Sequence, residues 1–318
     1  MRTIARRATL FAAIFALVLA ALDWRLGANV FTSYALGYRA LTAAVGAPPD
    51  EVLLLGTSHV ARGVDPTQLG APAERAFNFA LDAAPPSFFV DWYTRLYRKY
   101  RPAPKRVVID AASFIFDGQR LYRRYAHDSE YFPADHFWRE LEAGEVSREL
   151  LIKHRWPLLK YRRNYSLLLR HENLNMDSLD RYSFGWMPLV GTNPHHDRVQ
   201  YPPTHIEETE VRALERLLEV LASDRVEVVL VQTPVYLPKF PLDDATTRRI
   251  AAIAAARGIP FLNYNAERRS DLNSELQHFH DYGHLNVDGG KIFSARLGVD
   301  LHRLRLGGLR AERTGNRD

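Results

Sequence analysis

The chain has 318 residues, 47% of them hydrophobic and 25% charged, with a formal net charge of +5. This is globular composition and excludes disordered, collagen-like and coiled-coil classes. Cysteine is absent, which excludes disulfide frameworks, thiolate nucleophiles and cysteine-held zinc or iron–sulfur centres, so any nucleophile is an oxygen or an amine.

Arg2, Arg6 and Arg7 precede an uncharged stretch over residues 8–22, closed by Asp23, Trp24 and Arg25. That is the charge order of a segment inserted with its N-terminus in the cytoplasm and the rest of the chain outside. As a helix the uncharged stretch spans only about 22 Å, short of a ~30 Å hydrocarbon core, so its length fits a signal-peptide core as well as an anchor. Leu22, Trp24, Leu26, Val30 and Phe31 carry the apolar character further and favour an uncleaved signal-anchor over residues 1–26. The expected location is the inner membrane, single-pass, with the remainder in the periplasm.

After a connector at 27–50, the run Glu51-Val52-Leu53-Leu54-Leu55-Gly56 reads as a strand buried on both faces. The pattern recurs at 106–110, 226–232 and 259–263. Between these runs lie helical stretches at 86–100, at 207–221 with Val211, Leu214, Leu217, Leu218 and Leu221 at helical spacing, and at 243–257, which ends on Gly258 as a cap. The alternation predicts an α/β fold, a three-layer α/β/α sandwich on a parallel sheet, with its site at the carboxyl ends of the strands. The rhythm breaks at 117–203, a stretch rich in Tyr, Trp, Arg and His that reads as a helical or loop insertion. The sheet domain then comprises 51–116 and 204–309, followed by a polar tail at 310–318. Much of the positive excess lies between Tyr93 and Arg170, interleaved with Tyr and Trp. No nucleic-acid motif accompanies it, so a solvated or membrane-facing basic surface is expected and nucleic acid is not an expected partner.

Two segments carry chemistry. Gly56-Thr57-Ser58-His59 follows the first strand directly, where a serine on a tight turn stands at the start of a helix whose backbone N–H groups can stabilise an oxyanion; a turn or cap serine is the plainer alternative. Far downstream, Asp281-Tyr282-Gly283-His284-Leu285-Asn286 sets an acid and an imidazole three residues apart. That spacing lets the carboxylate hold the Nδ1 proton and leaves Nε2 to take a proton from a serine.

In these segments the sequence resembles the SGNH (GDSL-like) hydrolase superfamily. The Gly-Thr-Ser-His opening, the membrane segment and the His284-Leu285-Asn286 ending look most like its membrane-anchored extracytoplasmic branch, which includes proteins of polysaccharide O-acetylation and the D-alanyl transfer protein of teichoic acid synthesis. The resemblance spans about residues 51–110 and 226–300. It implies Ser58 as nucleophile, His284 as general base and Asp281 as its orienting carboxylate, with no cofactor. The second block of the superfamily supplies an oxyanion glycine and the third an asparagine. Here the corresponding segments read Asn78-Phe79-Ala80-Leu81-Asp82-Ala83 and Asp110-Ala111-Ala112-Ser113. The expected oxyanion donors are therefore the Ser58 and Ala80 N–H groups with Asn78 or Ser113 as the side-chain donor. The implied function is an O-acyltransferase, in the first instance an O-acetyltransferase, acting on a cell-surface or secreted polysaccharide and fed by a membrane-bound acyl donor protein. An SGNH esterase or deacetylase and a non-catalytic polysaccharide-assembly subunit are the alternatives.

His278, His280 and His284 beside Glu275 and Asp281, and the pair His195-His196, read as loop histidines and not as a metal site. Trp138, Trp156, Tyr161 and Trp186 read as packing residues in preference to a sugar groove.

Overall fold

The computed structural model describes residues 2–34, 51–69, 75–81, 84–110, 185–193, 206–238, 244–266 and 272–315. The chain divides into two units, one of Met1–Ala43 and Tyr125–Asp180, the other of Ala44–Arg124 and Arg181–Asp318. In the first, the described residues form helix α1 (Arg2–Tyr34). Its stretch Thr3–Trp24 is 22 residues long and apolar enough to cross a membrane, spanning about 33 Å at 1.5 Å per residue. Ile4, Leu10, Phe11, Leu17 and Trp24 are all exposed along it. A membrane anchor and a signal sequence both satisfy that description. The helix continues past the uncharged core at both ends, which removes the shortfall in length expected from residues 8–22 alone.

The second unit is built on five strands, β1 (Val52–Leu55), β2 (Ala76–Asn78), β3 (Arg106–Asp110), β4 (Glu227–Gln232) and β5 (Phe261–Asn263). They form one sheet in the order β2-β1-β3-β4-β5, and all four pairings are parallel. Every residue of β1 and β3 is buried, as continuous apolar runs covered on both faces require. By the two-residue period of a strand, Val52, Leu54, Val108, Val229, Val231 and Leu262 share one face and join one core cluster with Val60, Ala61, Phe293, Leu297 and Leu301. The last five belong to α2 (Ser58–Gly63) and α6 (Val287–Gly315), which pack on each other. Toward the other layer lie α3 (Pro86–Asp91), continued by a π-helical turn at Trp92–Tyr97, and α4 (Glu208–Ser223). These two pack together, and α4 also packs on β4. The α4 stripe of Val211, Leu214, Leu217, Leu218 and Leu221 is buried as its spacing predicts. Helix α5 (Asp244–Ala256) ends at Gly258 with φ of +64°, the left-handed cap anticipated from sequence.

The expected fold class is the one observed. With β2 on one side of β1 and β3 on the other, the strand order reverses between β1 and β3, and in such sheets the crevice outside the carboxyl ends at that point is where sites form. Two elements differ from expectation. Strand β2 carries no apolar run long enough to announce itself, and α6 continues through Gly315 into the stretch read as a polar tail. Of the expected insertion, residues 117–184 and 194–203 lie outside the described residues, and with them Trp138, Trp156, Tyr161 and His195-His196.

One buried acid joins α3 to α4. Glu210 is 4% exposed and accepts from Ser87 N at 2.9 Å and Ser87 Oγ at 2.8 Å. Burial pushes its carboxyl above the ordinary value, against the pull of the two Ser87 hydrogen bonds. A raised folded-state value means the native state binds the proton more tightly, so the contribution of Glu210 to stability falls as pH rises above about 4.5. Glu210→Gln keeps an acceptor for the Ser87 N–H and loses the charge, so the variant is expected to be more stable than the parent at pH 7. Glu210→Ala orphans that N–H and is expected to cost about 1–3 kcal/mol. Urea midpoints of the three proteins at pH 7 check the order.

Candidate active site

At the end of β1 the chain turns at Gly56, whose φ of +155° few other residues adopt. A Cβ there would meet Val60 Cγ2 at 2.8 Å and Asp110 Cβ at 3.3 Å, so the turn needs glycine for space as well as for dihedral. Thr57 is extended and its side chain does not cap the helix that follows. Ser58 therefore occupies the first position of α2, at the carboxyl edge of the sheet.

The downstream segment reaches Ser58 because α6 lies on α2. Before α6, an antiparallel bridge between Phe279 and Leu285, both in the core, pinches off a loop. His280 N donates to His284 O at 2.8 Å across its neck. Inside the loop Asp281 is 6% exposed, and its Oδ1 accepts from Gly283 N and His284 N, each at 2.8 Å. His284 Nδ1 lies 2.8 Å from both carboxylate oxygens, and His284 Nε2 lies 2.8 Å from Ser58 Oγ. The structure thus brings Ser58, His284 and Asp281 into one line across 226 residues of sequence separation. Asn286 Oδ1 accepts from Gly289 N at 3.0 Å, which makes it the N-cap of α6, while Leu285 anchors the loop in the core. The His-Leu-Asn ending therefore holds the loop to the helix.

Burial alone would raise the Asp281 carboxyl. The ring hydrogen bond and charge of His284, with the Gly283 and His284 N–H groups, outweigh it and hold the carboxyl well below the usual carboxylate range. Asp281 is therefore an anion throughout ordinary pH, as an orienting group for Nδ1–H must be. His59 is shifted further: burial first, then the charge of His284, lowers it from 6.5 to about 3 against a smaller opposing effect of Asp281. Because its folded value is depressed, the unfolded chain takes up the proton first. Its contribution to stability is complete above about pH 6.5 and is lost progressively toward pH 3. The expected slope is up to about 1.4 kcal/mol per pH unit within that window. Urea unfolding between pH 4 and 7 should show this slope in the parent and a flatter one in His59→Phe.

Two of the expected oxyanion donors, Asn78 and Ala80, need correction. Asn78 is buried, and its Nδ2 donates to Val60 O and Val64 O, both at 2.9 Å. Its Oδ1 accepts from Ala80 N at 3.1 Å. Phe79 N donates to Leu54 O and Leu81 N to Gly56 O. The loop after β2 has thus committed the Asn78 amide and the Ala80 N–H to the fold, because the carbonyls ending α2 need donors. Ser113 lies outside the described residues.

Within the expected insertion, residues 185–193 form a strap. Trp186 Nε1 donates to Arg62 O at 2.7 Å and Met187 N to Ala61 O at 2.9 Å. Further along, Leu189 pairs with Asn286 and Thr192 Oγ1 donates to Phe279 O. The strap ties α2 to the histidine loop, and Trp186, 5% exposed, is a packing residue. Gly185 opens the strap with φ of +89°, and a Cβ there would clash with Asn78 O. Of the other histidines, His278 Nε2 pairs with Glu275 at 3.2 Å, and His280 Nδ1 lies 3.2 Å from Val190 O and 3.1 Å from Gly191 O. Among the described residues no group of three side chains is placed to hold a metal ion.

No protein-family profile and no curated protein sequence matches the chain. Among solved structures it is similar to a GDSL-like lipase from Bacteroides thetaiotaomicron, at 13% identity and a TM-score of 0.43, covering 86% of this chain and 99% of that one. It is also similar to a candidate acylhydrolase from Bacteroides fragilis, at 11% identity and a TM-score of 0.44, covering 85% and 98%. Similarity at this level carries no argument about the chemistry of this chain, which has to come from its own side chains.

Proposed function

We propose that the protein is an SGNH-type serine acyl-transfer enzyme. The observation that carries this reading is the continuous line from Ser58 Oγ through His284 to Asp281 at 2.8 Å per step. In that line Nε2 takes the Ser58 proton as Oγ attacks an ester carbonyl, and returns it to the leaving oxygen when the tetrahedral intermediate collapses to the acyl-enzyme. With Asn78 and Ala80 engaged, the Ser58 N–H at the start of α2 is the backbone donor to the oxyanion. A second nucleophile then removes the acyl group. Water gives an esterase or deacetylase, whereas a sugar hydroxyl gives an O-acyltransferase.

Transfer to a cell-surface or secreted polysaccharide, with acetyl as the acyl group, is the reading favoured here. The length and apolar character of α1 support it, since a chain tethered at the inner membrane with its sheet unit in the periplasm stands where a membrane-bound donor can deliver an acyl group. Labelling by a fluorophosphonate in the parent and its absence in Ser58→Ala test the nucleophile. Loss of acetyl groups from the polymer in cells carrying Ser58→Ala tests the acceptor. For the location, a phosphatase fused after Asp318 is expected to be active and a reporter that works only in the cytoplasm to be dark; the reverse pattern removes the periplasmic assignment.

The engaged Asn78 and Ala80 favour a second reading, a non-catalytic polysaccharide-assembly subunit with this fold. Full polymer modification by Ser58→Ala would select it.

A further inference from the structure

We propose that His59 is a positioning residue that braces the His284 imidazole between Ser58 and Asp281; this rests on reading those three residues as a catalytic unit. Two hydrogen bonds hold the His284 ring, one at each nitrogen. The orientation of the ring plane is set by the second side-chain dihedral of histidine, which is broad and roughly two-fold. A packing contact on the ring narrows that dihedral further. The His59 ring supplies one, with its centroid 4.9 Å from that of His284 and the two planes at 77°.

Placement on the chain adds to the argument. Ser58 and His59 are the first two residues of α2, so one helical turn carries both the nucleophile and the ring that braces its base. A shift of α2 moves them together and leaves their relation to each other unchanged.

Charge is consistent with the same role. When Nε2 takes the Ser58 proton, His284 becomes a cation, and a second cation in contact with it would oppose the step. Burial and the His284 charge keep His59 neutral down to about pH 3. The brace therefore presents an uncharged ring to the imidazolium and does not oppose its formation.

The test uses the full-length protein and compares His59→Ala, His59→Leu and His59→Phe with the parent. Two readouts are taken: the rate of fluorophosphonate labelling at Ser58, and the downfield proton resonance of the His284 Nδ1–H held by Asp281. Misplacement of a reacting group by ~1 Å costs on the order of 100-fold, so His59→Ala is expected to label about 10- to 100-fold more slowly and to lose or broaden the resonance while keeping its circular dichroism spectrum. His59→Phe, which keeps a neutral ring, is expected to regain both. Where His59→Ala does not fold, His59→Leu takes its place, since it fills the space without a flat ring and is expected to remain slow. Labelling of the alanine or leucine variant at the parental rate overturns the proposal, as does a phenylalanine variant as slow as either. If the parent itself is not labelled at Ser58, the catalytic reading fails; the resonance then decides separately whether His59 braces His284.

Discussion

Replacing Ser58 with alanine is expected to lower turnover of an acetyl ester by on the order of 10⁶-fold, and His284→Ala by a similar factor. The reason lies in how the two atoms share one event. Ser58 Oγ becomes a competent nucleophile only as Nε2, 2.8 Å away, removes its proton, and without the oxygen the base has nothing to activate. The double variant should therefore be hardly slower than either single one. Both side chains stand at the ends of elements, Ser58 in the first turn of α2 and His284 in a loop closed by Phe279 and Leu285, so the variants should retain the parent's circular dichroism spectrum and cooperative unfolding. Steady-state hydrolysis of a chromogenic acetate, with burst and melting measurements on the same samples, checks all of this. Single losses that multiply in the double variant would show that the two side chains do not act in one step.

The second large effect concerns Asp281. Asp281→Asn is expected to reduce the rate by about 10⁴-fold while the fold is retained. An asparagine oxygen can still accept from Gly283 N and His284 N, the two backbone contacts of Asp281 Oδ1. The amide nitrogen, however, must then face His284 Nδ1 and donate to it, which moves the ring proton to Nε2 and leaves no lone pair for the proton of Ser58. Asp281→Ala should be equally slow and also less stable by about 1–3 kcal/mol, because both N–H groups lose their acceptor. Acid behaviour separates the two roles. Since the folded carboxyl lies below its ordinary value, the stability Asp281 provides is complete above about pH 4 and is lost as pH falls further. The asparagine variant should lack that acid-dependent part of the unfolding curve while the parent shows it. A rate close to the parental one in Asp281→Asn would remove the orienting role.

Short-range chemistry was legible in the sequence. The apolar runs Val52–Leu55 and Val107–Ile109 are strands because they are continuous and short, and they lie in a parallel sheet because helical stretches separate them. Gly56-Thr57-Ser58 could be placed at the carboxyl edge since the residue after a buried parallel strand emerges there. Asp281 and His284 could be paired because three residues is the reach of a carboxylate back to an imidazole within one loop. Each of these follows from neighbouring residues alone.

The rest depended on partners far away in the chain. Strand β2 is three residues long and exists because Ala76, Phe77 and Asn78 find β1 beside them. Whether the Asn78 amide serves a substrate or the fold was settled by the carbonyls of Val60 and Val64, which residues 78–83 do not announce. The strap at 185–193 owes its course to Arg62, Asn286 and Phe279, drawn from three other segments. His59 touches His284 only because α6 packs on α2. Sequence spacing determines which groups can meet within a turn or a loop, whereas a buried polar group must find some partner, and the tertiary fold alone decided which one each of these found.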